Sequence, residues 1–409
     1  MNNADLFGIL GQAGRPSNMT ILFTLKDEID RNIMADAMEE CMKRYPYFRF
    51  RITKNEKGYE IAENPAPIVI FDTVDKEIIL GSEEVNFHWL AAACEGKELK
   101  ITLCHAIADG RSFMWFYKTL LWCYLIRYYN ITLSPEGIKL PGSAIPDDED
   151  VKPMAAVGEE EALAPLYISD PLQIPEETEG NYLYKIKFSE KAFLDFGKSN
   201  DSSPVALIAV FMARMFKEVF PDNRKPVFTS VAADIREAIG YPNSRFSNVL
   251  TVFIKHDPEK LNGSYEKLGT QTRGQLMIQS DPVNLRYKHN QVMKISAEIQ
   301  KATDPAERQR LMGEIYKLVV SNPTYVLSYV GNPEWGEIGK YITEQYSIAS
   351  SGKLMIEVNS AGGNFCVCWM QRFKNEKYVR TFQSLLENNG IPCKVTGPIP
   401  FADPRWQIG

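Results

Sequence analysis

The stretch LKITLCHAIADGRSFMWFY, residues 99–117, decides the fold of this chain. Apolar and polar side chains alternate over residues 99–104, which is the pattern of a half-buried strand. An apolar run over residues 112–117 follows and is typical of a helix. Gly110 lies where the strand must turn into the helix, and glycine adopts left-handed or strained backbone at the lowest cost. The sequence therefore predicts a strand, a histidine, a sharp turn and a helix in immediate succession.

His105 is the first residue after this strand and the candidate general base. Continued alternation places its side chain on the apolar face of the strand. A neutral imidazole takes a proton from a hydroxyl, an amine or a thiol near neutral pH. Asp109 either contacts the imidazole and fixes its tautomer, or turns away to pair with an arginine and braces the loop from behind. The alternative is a core histidine that donates to a backbone carbonyl while Asp109 caps the helix, and the local residues do not decide between these readings.

The pattern His105-x-x-x-Asp109-Gly110 resembles the HxxxDG signature of the CoA-dependent acyltransferase superfamily. This superfamily includes chloramphenicol acetyltransferase, the condensation domains of peptide synthetases, alcohol acetyltransferases, mycobacterial polyketide-associated acyltransferases and the plant BAHD enzymes. Many relatives have two consecutive histidines, and Cys104 stands at the first of those positions here. Strand alternation directs Cys104 away from His105, which argues against a cysteine nucleophile. The DFGWG motif of the plant enzymes has no counterpart, which favours the bacterial and fungal branches.

Three further stretches resemble the same superfamily and occur in the same order along the chain. Residues 29–51 resemble its first helix and the strand after it. Residues 230–248 contain the pair Asp234-x-Arg236 at the end of a predicted strand, and residues 327–332 resemble its serine-bearing strand followed by glycine. On spacing alone, Asp234 and Arg236 are also typical of a solvent-exposed strand end.

The resemblance implies an α/β fold, an α+β sandwich of two tandem chloramphenicol-acetyltransferase-like domains with mixed sheets, flanking helices and an active-site channel between them. It also implies that Arg236 braces the active-site loop through Asp109 and that Asn248 orders the same loop. Ser328 is the candidate donor to the tetrahedral oxyanion, because a hydroxyl aimed at the developing charge lowers the barrier. Without the resemblance, Ser328 is an ordinary strand serine.

The length of 409 residues exceeds a usual single core, so two domains are expected. We assign residues 1–180, which carry the HxxxDG pattern, to the first and residues 181–409 to the second. Residues 134–181 are rich in proline and acidic residues and are interpreted as an inter-domain crossover with solvated acids. Further predicted elements are a helix from Arg111 past Tyr128 and strands at Val227–Val231, Val249–Lys255, Tyr325–Val330 and Lys353–Val358.

The composition, 44% hydrophobic and 24% charged, is that of a soluble globular protein. A net charge of −6 gives no reason to expect binding of nucleic acid or of anionic membranes. The seven cysteines are odd in number and lack metal-ligand spacing. The chain opens without a basic signal-peptide start, and no apolar run reaches roughly 18 residues. We therefore expect a cytoplasmic protein with reduced thiols, no metal, no membrane span and, because one chain supplies both halves, a monomeric state.

Three functions follow from these residues. The first is transfer of an acyl group from acyl-CoA to an alcohol or amine, with His105 as general base in a ternary complex and no bound cofactor. The second is a condensation-type enzyme that takes the acyl group from an acyl or peptidyl carrier protein in trans. The third is a catalytically silent binding module, which the intact His105 and Asp109 disfavour. The sequence predicts neither the acceptor nor the acyl length.

Overall fold

The computed structural model of the protein describes residues 3–11, 16–56, 58–158, 170–302, 304–319, 322–349 and 352–408. The strands, in chain order, are β1 Asn18–Leu25, β2 Phe50–Asn55, β3 Gly58–Glu63, β4 Ile70–Phe71, β5 Leu90–Glu95, β6 Glu98–Cys104, β7 Tyr182–Ser189, β8 Val227–Asp234, β9 Val249–His256, β10 Tyr325–Tyr329, β11 Ile342–Ala349, β12 Leu354–Ala361, β13 Asn364–Gln371 and β14 Cys393–Pro400. The helices are α1 Asn3–Gly11, α2 Arg31–Met42, α3 Gly110–Tyr128, α4 Glu190–Ser199, α5 Pro204–Val219, α6 Arg236–Ile239, α7 Tyr265–Gln279, α8 Pro282–Lys301, α9 Pro305–Val319 and α10 Lys377–Asn388.

The first sheet has the strand order β11-β1-β6-β5-β4. Its strand β1 is antiparallel to both neighbours, so Met19 pairs with Leu103 of β6 and with Ala349 of β11. Apolar side chains of β1, β5 and β6 pack against α2 and α3 in one core. Burial of this face sets the strand register, because a slip by one residue would turn the apolar side chains to the opposite face. The core therefore fixes the end of β6, where His105 follows.

The second sheet has the order β14-β7-β13-β12-β10-β8-β9 and is mixed. Strand β10 is parallel to β8 and β12, whereas β12, β13 and β7 form antiparallel pairs. Helices α5, α7 and α10 contribute to the core on one face of this sheet. The opposite face carries a smaller apolar layer. In the parallel register Ser328 of β10 lies beside Glu357 of β12, which places both at the same height along the sheet.

The two halves are interlocked, because β11 comes from the second half and completes the first sheet. Strand β11 also packs across β12 and β13, so the two sheets face each other. The chain end returns to the first half as well: the Trp406 ring packs edge-on against Trp89 at 5.6 Å, and the Gln407 amide donates to the Leu80 carbonyl at 2.9 Å. The predicted fold class, two tandem halves with mixed sheets and flanking helices, is confirmed.

Helix α3 begins at Gly110, one residue before the predicted start. Asp109 is its N-cap: the carboxylate accepts from the Ser112 amide at 3.1 Å, and the Ser112 hydroxyl accepts from the Asp109 amide at 3.0 Å. The expected left-handed backbone at Gly110 is not observed, because Gly110 is the first helical residue and lacks a positive φ. Limited space favours glycine instead, since a Cβ at this position would lie 3.1 Å from Cγ2 of Val330.

The crossover from residue 134 to residue 181 contains no helix or strand in its described part, residues 134–158 and 170–181. The expectation that its acids are solvated is wrong for Glu149, which is fully buried. Glu149 accepts two bonds from Arg44, at 2.8 and 2.7 Å, and one each from Tyr47 at 2.6 Å and Lys139 at 2.8 Å. Partners distant in sequence neutralise it, which the local acidic composition does not reveal. The acidic group at 159–161 lies outside the described residues.

Candidate active site

A cavity of about 330 Å³ lies between the two sheets and is lined by residues of both halves. Its polar and charged lining residues include His105, Asp109 and Arg111 from the first half and Asp234, Arg236, Ser247, Thr251, Ser328, Ser347, Glu357 and Asn359 from the second. Apolar side chains such as Met19, Val326 and Met355 make up much of the remaining wall. A pocket that is mostly apolar with a few convergent polar groups is the usual form of a small-molecule site.

His105 lies directly after β6, and its backbone amide donates to the Ser17 carbonyl at 2.9 Å. The side chain is half-buried and lines the cavity. In the described part of the chain no hydrogen bond holds the imidazole ring, so its nitrogens are available to a substrate. The neighbouring Cys104 is fully buried, and burial raises the pKa of its thiol, which disfavours the nucleophilic thiolate.

Asp109 turns away from His105 and pairs with Arg236 of the second half. Nη2 of Arg236 donates to both carboxylate oxygens, at 2.8 and 2.7 Å, and the Asn248 amide donates to Oδ2 at 3.1 Å. Both side chains of the ion pair are 1% exposed. A buried ion pair of this kind adds little to the free energy of unfolding. Removal of one partner, however, leaves an uncompensated buried charge and is strongly destabilising. The pair therefore ties the loop that carries His105 to the second half.

Arg236 and its neighbours make the remaining contacts behind the loop. Its guanidinium donates to the Ser244 carbonyl at 2.7 Å, to the Phe246 carbonyl at 2.9 Å and to the Asp234 carboxylate at 3.0 Å. The Asn248 side chain donates to the Ser244 hydroxyl at 2.9 Å and to the Phe246 carbonyl at 2.9 Å. Arg236 is thus fully buried rather than at a solvent-exposed strand end, whereas the Asp234 side chain is 30% exposed.

Arg245 is a buried member of this cluster that the sequence patterns did not reveal. It donates to the Ile107 carbonyl, within the HxxxDG loop, at 2.8 Å and to the Asp5 carboxylate at 2.8 and 2.6 Å. Its Nε donates to Asp150 at 2.7 Å. We call Asp109, Arg236 and Arg245 the loop clamp. An arginine in an irregular segment has no periodic signal, so Arg245 was not identifiable from spacing.

Ser328 and Glu357 line the opposite wall of the cavity on adjacent parallel strands. Ser328 lies beside Glu357 in the strand register, and the Glu357 side chain is 7% exposed. Burial raises the pKa of Glu357 to about 7, and the neighbouring Ser328 hydroxyl opposes that shift. Asn359 lies two residues further on the same face. Its Oδ1 accepts from Ser347 at 2.8 Å, and its buried Nδ2 has no hydrogen-bond partner among the described residues. We call Ser328, Glu357 and Asn359 the polar wall.

The sequence pattern points to Ser328 but to neither Glu357 nor Asn359. The available signal was a glutamate within the predicted strand Lys353–Val358, whose other residues are largely apolar. An ionisable residue inside a buried strand needs a partner or a shifted pKa, and this requirement singles out Glu357.

The described residues contain no group of three or more histidine, cysteine, aspartate or glutamate side chains placed to hold a metal ion. All seven cysteines are free thiols. No helix within the described ranges is long and apolar enough to cross a membrane.

No family model matches the sequence, and no curated protein sequence matches it either. Solved structures do match over nearly the whole chain. Polyketide synthase associated protein 5 from Mycobacterium tuberculosis has a TM-score of 0.61 and 13% identity over 94% of this chain and 96% of that one. F. sporotrichioides TRI101 complexed with coenzyme A and T-2 has a TM-score of 0.58 and 13% identity, covering 95% and 99%.

The first condensation domain of the calcium-dependent antibiotic synthetase, in complex with a substrate analogue, is similar as well. It has a TM-score of 0.62 and 10% identity, covering 98% of both chains. Identities this low show a shared fold and no more. The chain therefore shares the two-domain fold of these three solved proteins.

Proposed function

We propose that this protein transfers an acyl group from an acyl thioester to an alcohol or amine acceptor, with His105 as the general base. The observation that carries the proposal is the position of His105: it lines a cavity between the halves, on a loop that the loop clamp holds from behind. A base needs free ring nitrogens facing the substrate and a fixed position, and this arrangement supplies both.

The proposed reaction proceeds in a ternary complex. His105 takes the proton of the acceptor atom as that atom attacks the thioester carbonyl, and the carbonyl electrons move onto oxygen. The Ser328 hydroxyl donates to this oxyanion. The tetrahedral intermediate then collapses, the carbon–sulfur bond breaks, and the thiolate leaves with the proton from His105. Since Cys104 is buried and protonated, no covalent acyl-enzyme is proposed.

Positioning explains the remaining roles in the proposal. Asp109 and Arg236 form no hydrogen bond with the imidazole in the described structure, so they act through the loop backbone. Asp234 accepts a hydrogen bond from Arg236, and the Asn248 amide donates one to Asp109. Gly110 lets α3 begin close to Val330. Fixing donor, acceptor and base in one cavity makes the reaction effectively unimolecular, which supplies a large part of the rate.

Acyl-CoA is the proposed donor, as a co-substrate rather than a bound cofactor, and TRI101 with coenzyme A is a structural precedent. A carrier-protein-bound acyl group in trans is the second candidate, favoured by the likeness to a condensation domain. We further propose a cytoplasmic monomer with halves 1–180 and 181–409, in which β11 of the second half completes the first sheet.

The test is product formation from acetyl-CoA, hexanoyl-CoA and palmitoyl-CoA, and from the same acyl groups on a carrier protein, with a panel of alcohols and amines. Mass spectrometry should find acylated acceptor with the parent and none with His105→Ala. Cys104→Ala is the matched neighbour and should remain active. Transfer from the carrier alone would support the condensation alternative. Equal inertness of the parent and His105→Ala with every donor would contradict the proposal and leave a silent binding module.

A further inference from the structure

Glu357 is a buried carboxyl on the cavity wall that the proposed reaction does not yet use. It lies in β12 between Ser328 of β10 and Cys368 of β13 in the sheet register. It lines the same cavity as His105 and lies beside Ser328. Burying a carboxyl is costly unless a partner compensates its charge, so its retention on a substrate-facing wall calls for an explanation.

No cation of the described residues provides that compensation. Of the charged groups lining the cavity, Arg236 pairs with Asp109 at 2.7 Å and Arg111 lies 3.5 Å from Asp234. In the apolar layer on this face of the sheet, the titratable groups are the thiols of Cys366 and Cys368 and the phenol of Tyr346, all neutral near pH 7 because burial raises their pKa. Lys185 of β7 lies 3.9 Å from Glu98 instead. Glu357 is therefore a carboxyl without a cationic partner, facing the substrate cavity.

The wall contains a second group without a partner. The buried Nδ2 of Asn359 donates to no acceptor in the described part of the chain, although Oδ1 of the same amide is satisfied by Ser347. A carboxylate acceptor and an amide donor thus stand two residues apart on one strand face, where a ligand could satisfy both. An ammonium group with a neighbouring oxygen fits this pair, whereas a plain alcohol leaves the carboxylate uncompensated.

Proton balance separates the two acceptor types. An alcohol loses one proton in acyl transfer, and His105 can pass it to the leaving thiolate. A protonated amine carries one further proton, which must leave before nitrogen can attack. A second base in the cavity is therefore needed for amines alone.

We propose that Glu357 binds the ammonium group of an amine acceptor and takes its first proton, so that the protein forms an amide. This rests on the proposed acyl transfer. The free amine then attacks the thioester carbonyl, the carbon–nitrogen bond forms, and His105 takes the second proton. The carbon–sulfur bond breaks and the thiolate receives that proton from His105. Glu357 releases the first proton to solvent, so ammonium and acyl thioester give amide, thiol and one proton.

Protonation of Glu357 also affects Ser328. The two side chains are neighbours in the strand register, and the Ser328 hydroxyl lowers the pKa of Glu357 by favouring the ionised carboxylate. Once Glu357 holds the proton, it can donate to Ser328 Oγ, and the Ser328 hydrogen can turn to the oxyanion. One proton transfer would thus prepare both the nucleophile and the oxyanion donor.

The test compares amines and alcohols of the same carbon skeleton, benzylamine with benzyl alcohol and hexylamine with hexanol, using acetyl-CoA and hexanoyl-CoA. The parent should prefer the amines. Glu357→Gln keeps the size and removes the base, so kcat/KM for amines near neutral pH should fall by about 10²-fold, and the ratio of amine to alcohol kcat/KM should fall with it. The loss should shrink as the pH approaches the pKa of the amine itself, because free amine from solution needs no second base.

Equal losses for amines and alcohols, or a parent that uses alcohols only, would overturn the role of Glu357 while leaving acyl transfer intact. Absence of any transfer, or indifference to His105→Ala, would overturn the proposed function and this inference with it. Melting temperatures establish that the variant folds, and Glu357→Met, of similar size and apolar, serves as the second variant if the glutamine variant does not fold.

Discussion

The loop clamp lies behind the His105 loop and the polar wall lines the cavity, and the two differ in how their buried charges are paired. Asp109, Arg236 and Arg245 each have an opposite charge within hydrogen-bonding distance. Among the residues that the structure describes, Glu357 of the polar wall has only the neighbouring Ser328 hydroxyl, and the buried Nδ2 of Asn359 has no hydrogen-bond partner. The charges of the loop clamp are thus paired within the protein, whereas the polar groups of the polar wall need a ligand to pair with them.

Removing charge from the loop clamp should have the largest effect on stability. Asp109→Ala leaves Arg236 buried without its main partner and should lower the free energy of unfolding by about 3–5 kcal/mol. Asp234→Ala removes the 30% exposed partner of the same arginine and should cost about 1 kcal/mol or less. Urea denaturation measures both, and equal losses would remove the distinction between the two carboxylates.

Removing the hydroxyl of the polar wall should affect rate more than stability. Ser328→Ala should lower kcat by about 10²-fold with little change in KM, because the oxyanion loses a donor. Ser230→Ala is the matched control: it removes a buried serine hydroxyl from the neighbouring strand β8 and should leave kcat within about twofold. A Ser328→Ala variant with unchanged kcat would exclude Ser328 as the oxyanion donor.

Glu357 should make stability depend on pH. Its folded-state pKa of about 7 lies above the ordinary value for glutamate, so its contribution is fully present at low pH and is lost as pH rises through about 7. Glu357→Gln should therefore stabilise the fold near pH 8 by about 2–3 kcal/mol relative to its effect near pH 5. Glu387→Gln, at an exposed site, should show no such difference. Melting temperatures of both variants at pH 5 and pH 8 measure this difference. A stability gain in Glu357→Gln that does not depend on pH would contradict the raised pKa of Glu357.

The smallest effect is expected at Gly110. Gly110→Ala places a methyl group 3.1 Å from Val330 Cγ2 and should destabilise by about 1 kcal/mol. Gly274→Ala, inside α7, meets nothing within 4 Å and should stabilise by up to about 1 kcal/mol through helix propensity. Thermal denaturation of both variants measures the difference, and a similar gain at both positions would show that Val330 moves aside at no cost.

Local patterns predicted the elements around His105 well. The strand before it, the helix after it and the strand that carries Ser328 follow from alternation and from the apolar run. The predicted reason for glycine at position 110, a left-handed backbone, was wrong. Glycine is favoured by the close approach of Val330, which is distant in sequence and therefore does not show in a local pattern. The prediction that Glu149 is solvated failed for a similar reason, since its bidentate partner Arg44 is distant in sequence.

The features that no local pattern could reveal are long-range. Strand β11 joins the first sheet although it belongs to the second half, and strand composition does not specify which sheet a strand enters. Arg245 and Glu357 acquire their significance only from burial and from which charges surround them. Sequence therefore located the candidate base, whereas the clamp behind it and the wall in front of it needed the three-dimensional structure.

The most direct test of the account is thiol release from acyl-CoA, measured with and without an acceptor, for the parent and His105→Ala. The account predicts release by the parent only when an acceptor is present, and a loss of about 10²–10⁴-fold in His105→Ala. The melting temperature of the variant should be unchanged, because no hydrogen bond holds the imidazole in the described part of the chain. Equal release by both proteins, or release without acceptor that leaves the protein acylated, would contradict a general-base role for His105.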